Sequence, residues 1–198
     1  ILKEVDDAPL DCVFRRGESR QWVSSTAVVA IPTTAGTGSE VTPFATIWDR
    51  HHHRKHSISG EAVYPSVALL IPELTVTLPP DETLYTGLDA ISHALESMWN
   101  RNRTAISEAY AVQALVLALD ALPRVLDAPS DLAARKCMQL ASMLAGMAIS
   151  QTRTAIAHAI SYPLTSHFGV PHGLSCSFTL PRILRDYRWL EANVGRLV

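Results

Sequence analysis

The sequence has few cysteines, no excess of basic residues and no long apolar run, and each shortage excludes a class of protein. Its three cysteines, Cys12, Cys137 and Cys176, are odd in number and far apart, which argues against a disulfide framework and for a reducing compartment. The formal net charge of −2 gives no basic field that would attract nucleic acid or a membrane surface. With no leader and no apolar run of roughly 20 residues, we expect a cytoplasmic protein without a membrane span.

The composition that remains is typical of a globular protein. Hydrophobic residues make up 47% and charged residues 18% of the 198 positions, so the chain is long enough to bury a core, as one large domain or two smaller ones. Small molecules are the expected partners. The chain begins at Ile1 without a methionine and ends in GRLV, and we expect it to be part of a longer protein.

The residue pattern changes near position 80. Before it, short β-branched or alternating runs predict extended segments at 25–32, 44–49, 66–72 and 73–79. After it, apolar residues at three- and four-residue spacing predict helices at 81–99, 104–121, 130–150 and 154–162. We expect Asp81 or Thr86 to cap the first helix, and Pro123 and Pro163 to end the second and the fourth. The predicted fold is an α/β part followed by an all-α part.

One carboxylate and one imidazole side chain lie four residues apart in the segment TGLDAISHALES. On a helix, Asp89 and His93 would share one face about one turn apart and could bind the same ion. His158, on another helical run, and His172, in a turn rich in proline and glycine, could supply two further ligands. One carboxylate with three imidazoles suits Fe(II) or Zn(II). The alternative is that the histidines only pack in the core.

A second informative segment, IPTTAGTGSEVTPF, follows a predicted strand. Its small residues from Thr33 to Ser39 would let a ligand approach the backbone, and its amides and hydroxyls could hold phosphate or ribose oxygens. It matches neither the dinucleotide fingerprint GxGxxG nor a P-loop, so an ordinary tight turn remains the alternative.

Four motifs in this order resemble the iron-containing (group III) alcohol dehydrogenases: TTAGTGSEVTP, PELTVTLPP, TGLDAISHALES and the segment from His158 to His172. The resemblance runs from about Val28 to Pro181. It implies a dehydroquinate synthase-like architecture, truncated at both ends. Residues 1–80 would be the C-terminal part of an α/β NAD(P)-binding domain, and residues 81–198 the N-terminal part of a helical metal-binding catalytic domain.

The resemblance also implies roles for individual residues. Fe(II) or Zn(II) would be bound by Asp89, His93, His158 and His172. NAD or NADP would be lined by Thr33, Thr34, Thr42, Phe44, Lys55 and Leu74. The family's Gly-Gly-Gly-Ser phosphate loop and its last helices are missing. The chain should therefore be the central part of a protein nearly twice its length, with apolar surface exposed where the missing parts would pack.

Two positions depart from the family pattern. Tyr162 stands where the family often has a second histidine, four residues beyond the third ligand. A phenol can donate a proton, so Tyr162 is the candidate catalytic residue. Ile71 replaces the aspartate that commonly precedes the PELT motif.

The resemblance implies an NAD(P)H-linked alcohol dehydrogenase or aldehyde reductase, in which the metal polarises the aldehyde that accepts hydride. The segments KHSIS, HALESMWNRN and SYPLTSHFGVPHG are most similar to the phosphonoacetaldehyde reductase branch, which forms 2-hydroxyethylphosphonate in phosphonate biosynthesis. Arg101, Arg103 and Arg153 are candidates for binding a phosphonate, or they are solvated charges at helix ends.

Two other functions are weighed against this reductase. One is a dehydroquinate-synthase-like lyase, which shares the architecture, NAD and a metal, and the other is a non-catalytic helical module. The consecutive histidines between Asp49 and Lys55 are expected to form a hairpin turn, and no ligand role is assigned to His51, His52, His53 or His56. A homo-oligomer is left open.

Overall fold

The computed structural model describes residues 26–49 and 54–194. Four strands come first: β1 (Val29–Ala30), β2 (Phe44–Asp49), β3 (Arg54–Ser59) and β4 (Val67–Ala68). Six helices follow: α1 (Pro80–Trp99), α2 (Ala105–Asp127), α3 (Leu132–Thr152), α4 (Ile156–Phe168), α5 (His172–Ser177) and α6 (Leu180–Val194). The predicted order, an α/β part and then helices, is therefore observed.

The strands form two separate pairs. β1 and β4 are parallel, with Val29 opposite Val67, and β2 and β3 are antiparallel, with Phe44 opposite Ser59. The antiparallel pair is what the expected hairpin requires, although His51, His52 and His53 lie outside the described residues and His56 is within β3. Parallel sheets are normally covered on both faces, yet Val29 and Val67 are 57% and 51% exposed. The predicted exposure of apolar surface is observed here.

The segment expected to be extended at 73–79 is not a strand. Residues Pro72–Thr75 form a 3-10 turn, in which the Thr75 hydroxyl donates to the Pro72 carbonyl over 2.8 Å. A proline at the first position sets the backbone angle for such a turn. A short apolar run between prolines does not by its periodicity distinguish a strand from a turn, which explains the wrong prediction. The strands at 25–32 and 66–72 are also shorter than predicted, two residues each.

Helix α1 begins one residue earlier than predicted and has no side-chain cap. Pro79 is the N-cap residue and Pro80 the first helical residue, a position where the missing amide hydrogen of proline is tolerated. Neither Asp81 nor Thr86 caps the helix, since Thr86 lies inside it and its hydroxyl donates to the Glu82 carbonyl over 2.7 Å.

The two prolines expected to end helices do not do so. α2 continues through Pro123 to Asp127, and α4 continues through Pro163 to Phe168. A proline inside a helix leaves the carbonyl four residues earlier without its donor. Those carbonyls belong to Leu119 and Ala159, both exposed residues, so water can hydrate them and the helices continue.

The core lies between α1, α2 and α3 and is rich in alanine. One cluster joins Ala94 of α1, Ala111 and Ala114 of α2, and Ala145 and Ala148 of α3. Alanine lets helix backbones approach closely and has the highest helix propensity. Length and composition alone would also let α2 cross a membrane, contrary to our expectation from the sequence. The same properties are typical of a core helix, and α2 packs its alanine face against its two neighbours.

Buried polar side chains fasten the strand part to the helices. The Gln139 amide on α3 is 1% exposed and donates to the carbonyls of Pro32 and Ile71, over 3.1 and 3.4 Å. These carbonyls lie in the segments that follow β1 and β4. Gln139 thus fixes the start of the segment from Thr33 to Ser39, the glycine-rich loop, above the helical core.

Asp131 caps α3, and its removal should destabilise the fold. Its carboxylate accepts from the Ala134 amide over 3.0 Å and pairs with Arg124 over 3.1 Å. Replacing Asp131→Ala in the full-length protein should lower the free energy of unfolding, because the Ala134 amide loses its acceptor. Thermal or urea unfolding measures this change. The matched control is Asp127→Ala at the end of α2, which should change stability little; equal effects would contradict the capping role.

Candidate metal centre

Three helices bring the four predicted ligands together. α1 carries Asp89 and His93, α4 carries His158, and α5 begins at His172. The Oδ1 atom of Asp89 lies 3.4 Å from Nε2 of His158, 3.7 Å from Nε2 of His93 and 3.9 Å from Nε2 of His172. His172 was expected in a turn, but it is the first helical residue after Pro171, since proline favours the entry to a helix.

The ligand atoms of these four side chains are better satisfied by a metal ion than by hydrogen bonds to one another. Asp89, His93 and His158 are at most 5% exposed, and within the described chain Asp89 Oδ1 and His158 Nε2 have no hydrogen-bond partner. Buried polar atoms without a partner are rare in folded proteins and need an explanation. Ligands that share a tetrahedral ion at about 2.1 Å lie about 3.4 Å apart, close to the separations seen here. The residues therefore fit a divalent metal.

Glu96, which the sequence analysis missed, orients His158. This carboxylate is fully buried and lies 2.5 Å from Nδ1 of His158, on the ring edge away from Asp89. A carboxylate that accepts from the second nitrogen of a metal-binding imidazole fixes its tautomer and raises its basicity. A signal was available, because Asp89, His93 and Glu96 are spaced so that they share one face of α1.

The same carboxylate caps α4. Its oxygens accept from the backbone amides of Ala155 over 3.0 Å and Ala157 over 2.5 Å. α4 has no side-chain cap of its own, so Glu96 satisfies amides that would otherwise be unpaired at the start of the helix. The orientation of His158 and the position of α4 thus depend on one side chain.

The glycine-rich loop orients His93. Nδ1 of His93 lies 3.3 Å from the Gly36 carbonyl, which can accept its proton and so direct Nε2 towards Asp89. A side chain at Gly36 would come within 2.6 Å of the Thr86 carbonyl on α1, so glycine is needed for this close approach. The loop predicted to hold cofactor is therefore in direct contact with a predicted metal ligand.

Helices α5 and α1 approach closely at Gly173. A β-carbon there would collide with the Tyr85 carbonyl and would lie 3.1 Å from the β-carbon of Asp89. Glycine thus lets the start of α5, and with it His172, reach the α1 face that carries Asp89.

The charges of the site suit a cation. Burial alone would raise the pKa of Asp89, but His93, His158 and His172 outweigh it and hold the pKa well below its usual range. Burial lowers the pKa of His93 to about 4, so this imidazole is neutral and available as a ligand at neutral pH. Burial opposes charge on His158 too, yet the carboxylates of Asp89 and Glu96 hold its pKa above the ordinary value.

Cys176 belongs to the same cluster. It is fully buried, and its Sγ lies within 4.8 Å of the ligand atoms of Asp89, His158 and His172. Sγ is 3.7 Å from Nε2 of His172, one helical turn earlier on α5. The thiol is thus in contact with the imidazole of a predicted ligand.

A cavity of about 620 Å³ opens from the predicted ligands to the strands. Its walls include the four predicted ligands, Tyr162, and two of the predicted cofactor residues, Thr42 and Phe44. Thr33, Thr34 and Leu74 are not among the residues that line it, and the glycine-rich loop contributes Thr37 and Ser39 instead. The side chain of Lys55 lies outside the described residues. The roles of all six predicted cofactor residues stay predictions.

Tyr162 lies where a proton donor could act. Its ring is stacked on that of His172, with centroids 6.4 Å apart and planes 11° apart, and it lines the cavity. The structure thus brings the predicted catalytic residue beside a predicted ligand. Its role as proton donor stays a prediction.

Comparisons with known proteins point to one family. A model described as the Fe-containing alcohol dehydrogenase family, C-terminal, matches residues 83–197, and one described as iron-containing alcohol dehydrogenase matches residues 4–72. The chain is 48% identical over 159 residues to a phosphonoacetaldehyde reductase of Streptomyces viridochromogenes. It is 41% identical over 157 residues to a 1-propanol dehydrogenase of Salmonella typhimurium. The alignments cover 80% and 79% of this chain, and 40% and 42% of the two relatives.

Solved structures show the same fold. A sulfoacetaldehyde reductase from Bifidobacterium kashiwanohense in complex with NAD+ has a TM-score of 0.87 and 36% identity, over 98% of this chain and 50% of that one. An iron-containing alcohol dehydrogenase from Thermotoga maritima has a TM-score of 0.77 and 39% identity, over 89% and 47%. The predicted fold is thereby confirmed, and the chain spans about half the length of the proteins that it matches.

Replacing Glu96→Gln should weaken metal binding. The substitution keeps the size of the side chain but turns one oxygen into an NH₂ group, which cannot accept from the amides of α4 or from His158. We expect the affinity of the full-length protein for Zn(II) to fall about 10- to 100-fold, measured by competition with a chelator. Glu82→Gln, an exposed acid in the first turn of α1, is the control. An affinity unchanged by Glu96→Gln would contradict the positioning role.

Proposed function

Because the chain belongs to the iron-containing alcohol dehydrogenase family, we propose that it supplies the metal-binding half of the active site of an NAD(P)-linked alcohol dehydrogenase or aldehyde reductase. The observation that carries this proposal is the convergence of three imidazole nitrogens on one carboxylate oxygen, at 3.4 to 3.9 Å. Asp89, His93, His158 and His172 would hold Fe(II) or Zn(II). A divalent metal there would supply a Lewis acid for the carbonyl oxygen of an aldehyde.

Other residues of the chain would bind the cofactor and supply a proton. The strand part and its glycine-rich loop would hold NAD or NADP through Thr33, Thr34, Thr42, Phe44, Lys55 and Leu74. The cavity between the loop and α4 has room for a small aldehyde beside the nicotinamide. Tyr162, stacked on His172, would hand a proton to the alcohol oxygen as hydride reaches the carbon.

The substrate that we propose is phosphonoacetaldehyde, reduced to 2-hydroxyethylphosphonate. This assignment rests on the 48% identity to a protein of that name and on the likeness to a sulfoacetaldehyde reductase. Both names describe a two-carbon aldehyde with an anionic group.

The alternatives are weaker. A purely packing role for the histidines would leave Asp89 Oδ1 and His158 Nε2 buried without partners, which is unfavourable. The relatives reported above are named as alcohol dehydrogenases or aldehyde reductases, which favours an oxidoreductase over the lyase. The cytoplasmic location and the homo-oligomer stay predictions.

Substrate choice can be measured directly. The full-length protein, loaded with Fe(II) or Zn(II), should oxidise NADH or NADPH in the presence of phosphonoacetaldehyde, with kcat/KM well above that for lactaldehyde or propanal. An aldehyde without an anionic group lacks the charge that an arginine in the cavity would bind, so we expect a clear preference. Equal kcat/KM for the three aldehydes would reject the phosphonate assignment.

Metal dependence tests the site itself. His158→Ala should remove most bound Fe or Zn and abolish reduction of every aldehyde, because it deletes a ligand at the centre of the cluster. His167→Ala, an exposed histidine on the same helix, is the matched control and should retain both properties. Elemental analysis and NAD(P)H consumption report on them independently. Full metal content and activity in the His158 variant would reject the proposed site.

A further inference from the structure

Arg153 has a backbone conformation that is normally reserved for glycine. Its φ of 67° and ψ of 176° lie in a region that is essentially inaccessible to residues with a β-carbon. It is the one non-glycine residue with positive φ within 26–49 and 54–194. Such an outlier persists only where surrounding contacts impose it, and these positions cluster at functional sites.

Hydrogen bonds from buried residues impose this conformation. The Arg153 carbonyl accepts from the Asn100 amide over 3.2 Å and from the Thr152 hydroxyl over 2.9 Å, and the Arg153 amide donates to the Ile149 carbonyl over 2.7 Å. Asn100 is 8% exposed and Thr152 fully buried. The ends of α1 and α3 therefore hold the Arg153 backbone from both sides.

The strained residue faces the cavity of the proposed active site. Arg153 lines it together with the four predicted metal ligands and Tyr162, and it is the one arginine or lysine among the described residues that do so. Within the described part of the chain, no carboxylate forms an ion pair with its guanidinium. The other two arginines considered from the sequence differ, since Arg101 and Arg103 do not line the cavity and Arg103 donates to the Tyr187 hydroxyl.

The position of Arg153 relative to the predicted metal ligands is also fixed. It ends α3, and the segment that follows it is held by Glu96 through the amides of Ala155, Ala157 and His158. The chain between Arg153 and His158 is thus short and tied at both ends. Arg153 and the predicted ligand His158 therefore lie five residues apart and line the same cavity.

We propose that Arg153 is a specificity-determining residue that binds the phosphonate or sulfonate group of the aldehyde substrate. The inference rests on the proposed function and deepens it. Phosphonoacetaldehyde and sulfoacetaldehyde both carry a tetrahedral anion on the carbon beside the aldehyde, and the planar fork of arginine binds such oxyanions through two parallel hydrogen bonds. The hydroxyl of Thr154, which also lines the cavity, is placed to donate to the remaining oxygen.

The pyrophosphate of the cofactor is the other anion that an arginine in this cavity could bind. A cofactor role would raise the KM for NAD(P)H and lower kcat/KM for every aldehyde alike. A substrate role would affect only aldehydes that carry the anion. The two roles are therefore separated by one set of steady-state measurements.

The experiment uses the full-length, metal-loaded protein with phosphonoacetaldehyde, sulfoacetaldehyde and propanal. Arg153→Gln should lower kcat/KM about 10- to 100-fold for the two anionic aldehydes, mainly through KM, and change it less than about threefold for propanal. Arg153→Lys should lower kcat/KM for the anionic aldehydes less than Arg153→Gln does, because a lysine keeps the charge but not the planar fork of arginine. Arg103→Gln is the matched control and should leave all three values unchanged.

A glycine variant separates recognition from folding. Arg153→Gly suits the observed backbone angles, so its melting temperature should equal or exceed that of the parent, while the preference for anionic aldehydes is lost. A strictly structural arginine would instead give a lower melting temperature and unchanged preference.

The failures of the two proposals are distinguishable. No NAD(P)H consumption by the parent protein with any aldehyde overturns the proposed function. If the parent reduces propanal, two results for Arg153→Gln overturn the inference alone. One is an equal loss of kcat/KM for all three aldehydes, and the other is a rise confined to the KM for NAD(P)H. An effect with phosphonoacetaldehyde and none with sulfoacetaldehyde narrows the recognised class to phosphonates and supports the inference.

Discussion

The carboxylate of Glu96 is the contact on which the rest of the site depends. It joins α1 to α4 by accepting from Nδ1 of His158 and from the backbone amides at the start of α4. Burial opposes its charge, but His158 and these amides more than offset the effect and lower the pKa of Glu96. An ionised carboxylate without such partners would be very unfavourable in this interior. In the observed arrangement, the contact of Nδ1 with Glu96 directs Nε2 of His158 towards Asp89.

Close approach of backbones completes the site around this contact. Glycine at positions 36 and 173 lets the glycine-rich loop and α5 lie directly against α1. Through Gly36, the loop that would hold cofactor also orients His93. A displacement of the loop would therefore change the direction of a predicted ligand. The hydrogen bond between the His93 imidazole and the Gly36 carbonyl thus connects the loop directly to the predicted metal ligands.

On the other side of the cavity, a strained backbone residue, rather than a close approach of two backbones, positions a lining side chain. Arg153 is held in an unfavourable conformation by hydrogen bonds from Asn100 and Thr152, which are themselves buried by the packing of α1 against α3. Tyr162 lies one turn beyond His158 on α4 and lines the same cavity. A helix and a strained backbone residue thus place these two polar side chains in the cavity wall.

The sequence by itself determined what depends on neighbours along the chain. The spacing of Asp89 and His93 places both on one face of α1, and Thr104 and Asp131 cap their helices as local hydrogen-bonding rules require. The order of motifs also determined the family, and with it the expected fold. Only the tertiary structure decided that Glu96 meets His158, 62 residues away, that Cys176 joins the ligand cluster, and that Arg153 rather than Arg101 or Arg103 lines the cavity. Helix periodicity repeats over a few residues, whereas these contacts depend on how α1, α3, α4 and α5 pack, which no local pattern encodes.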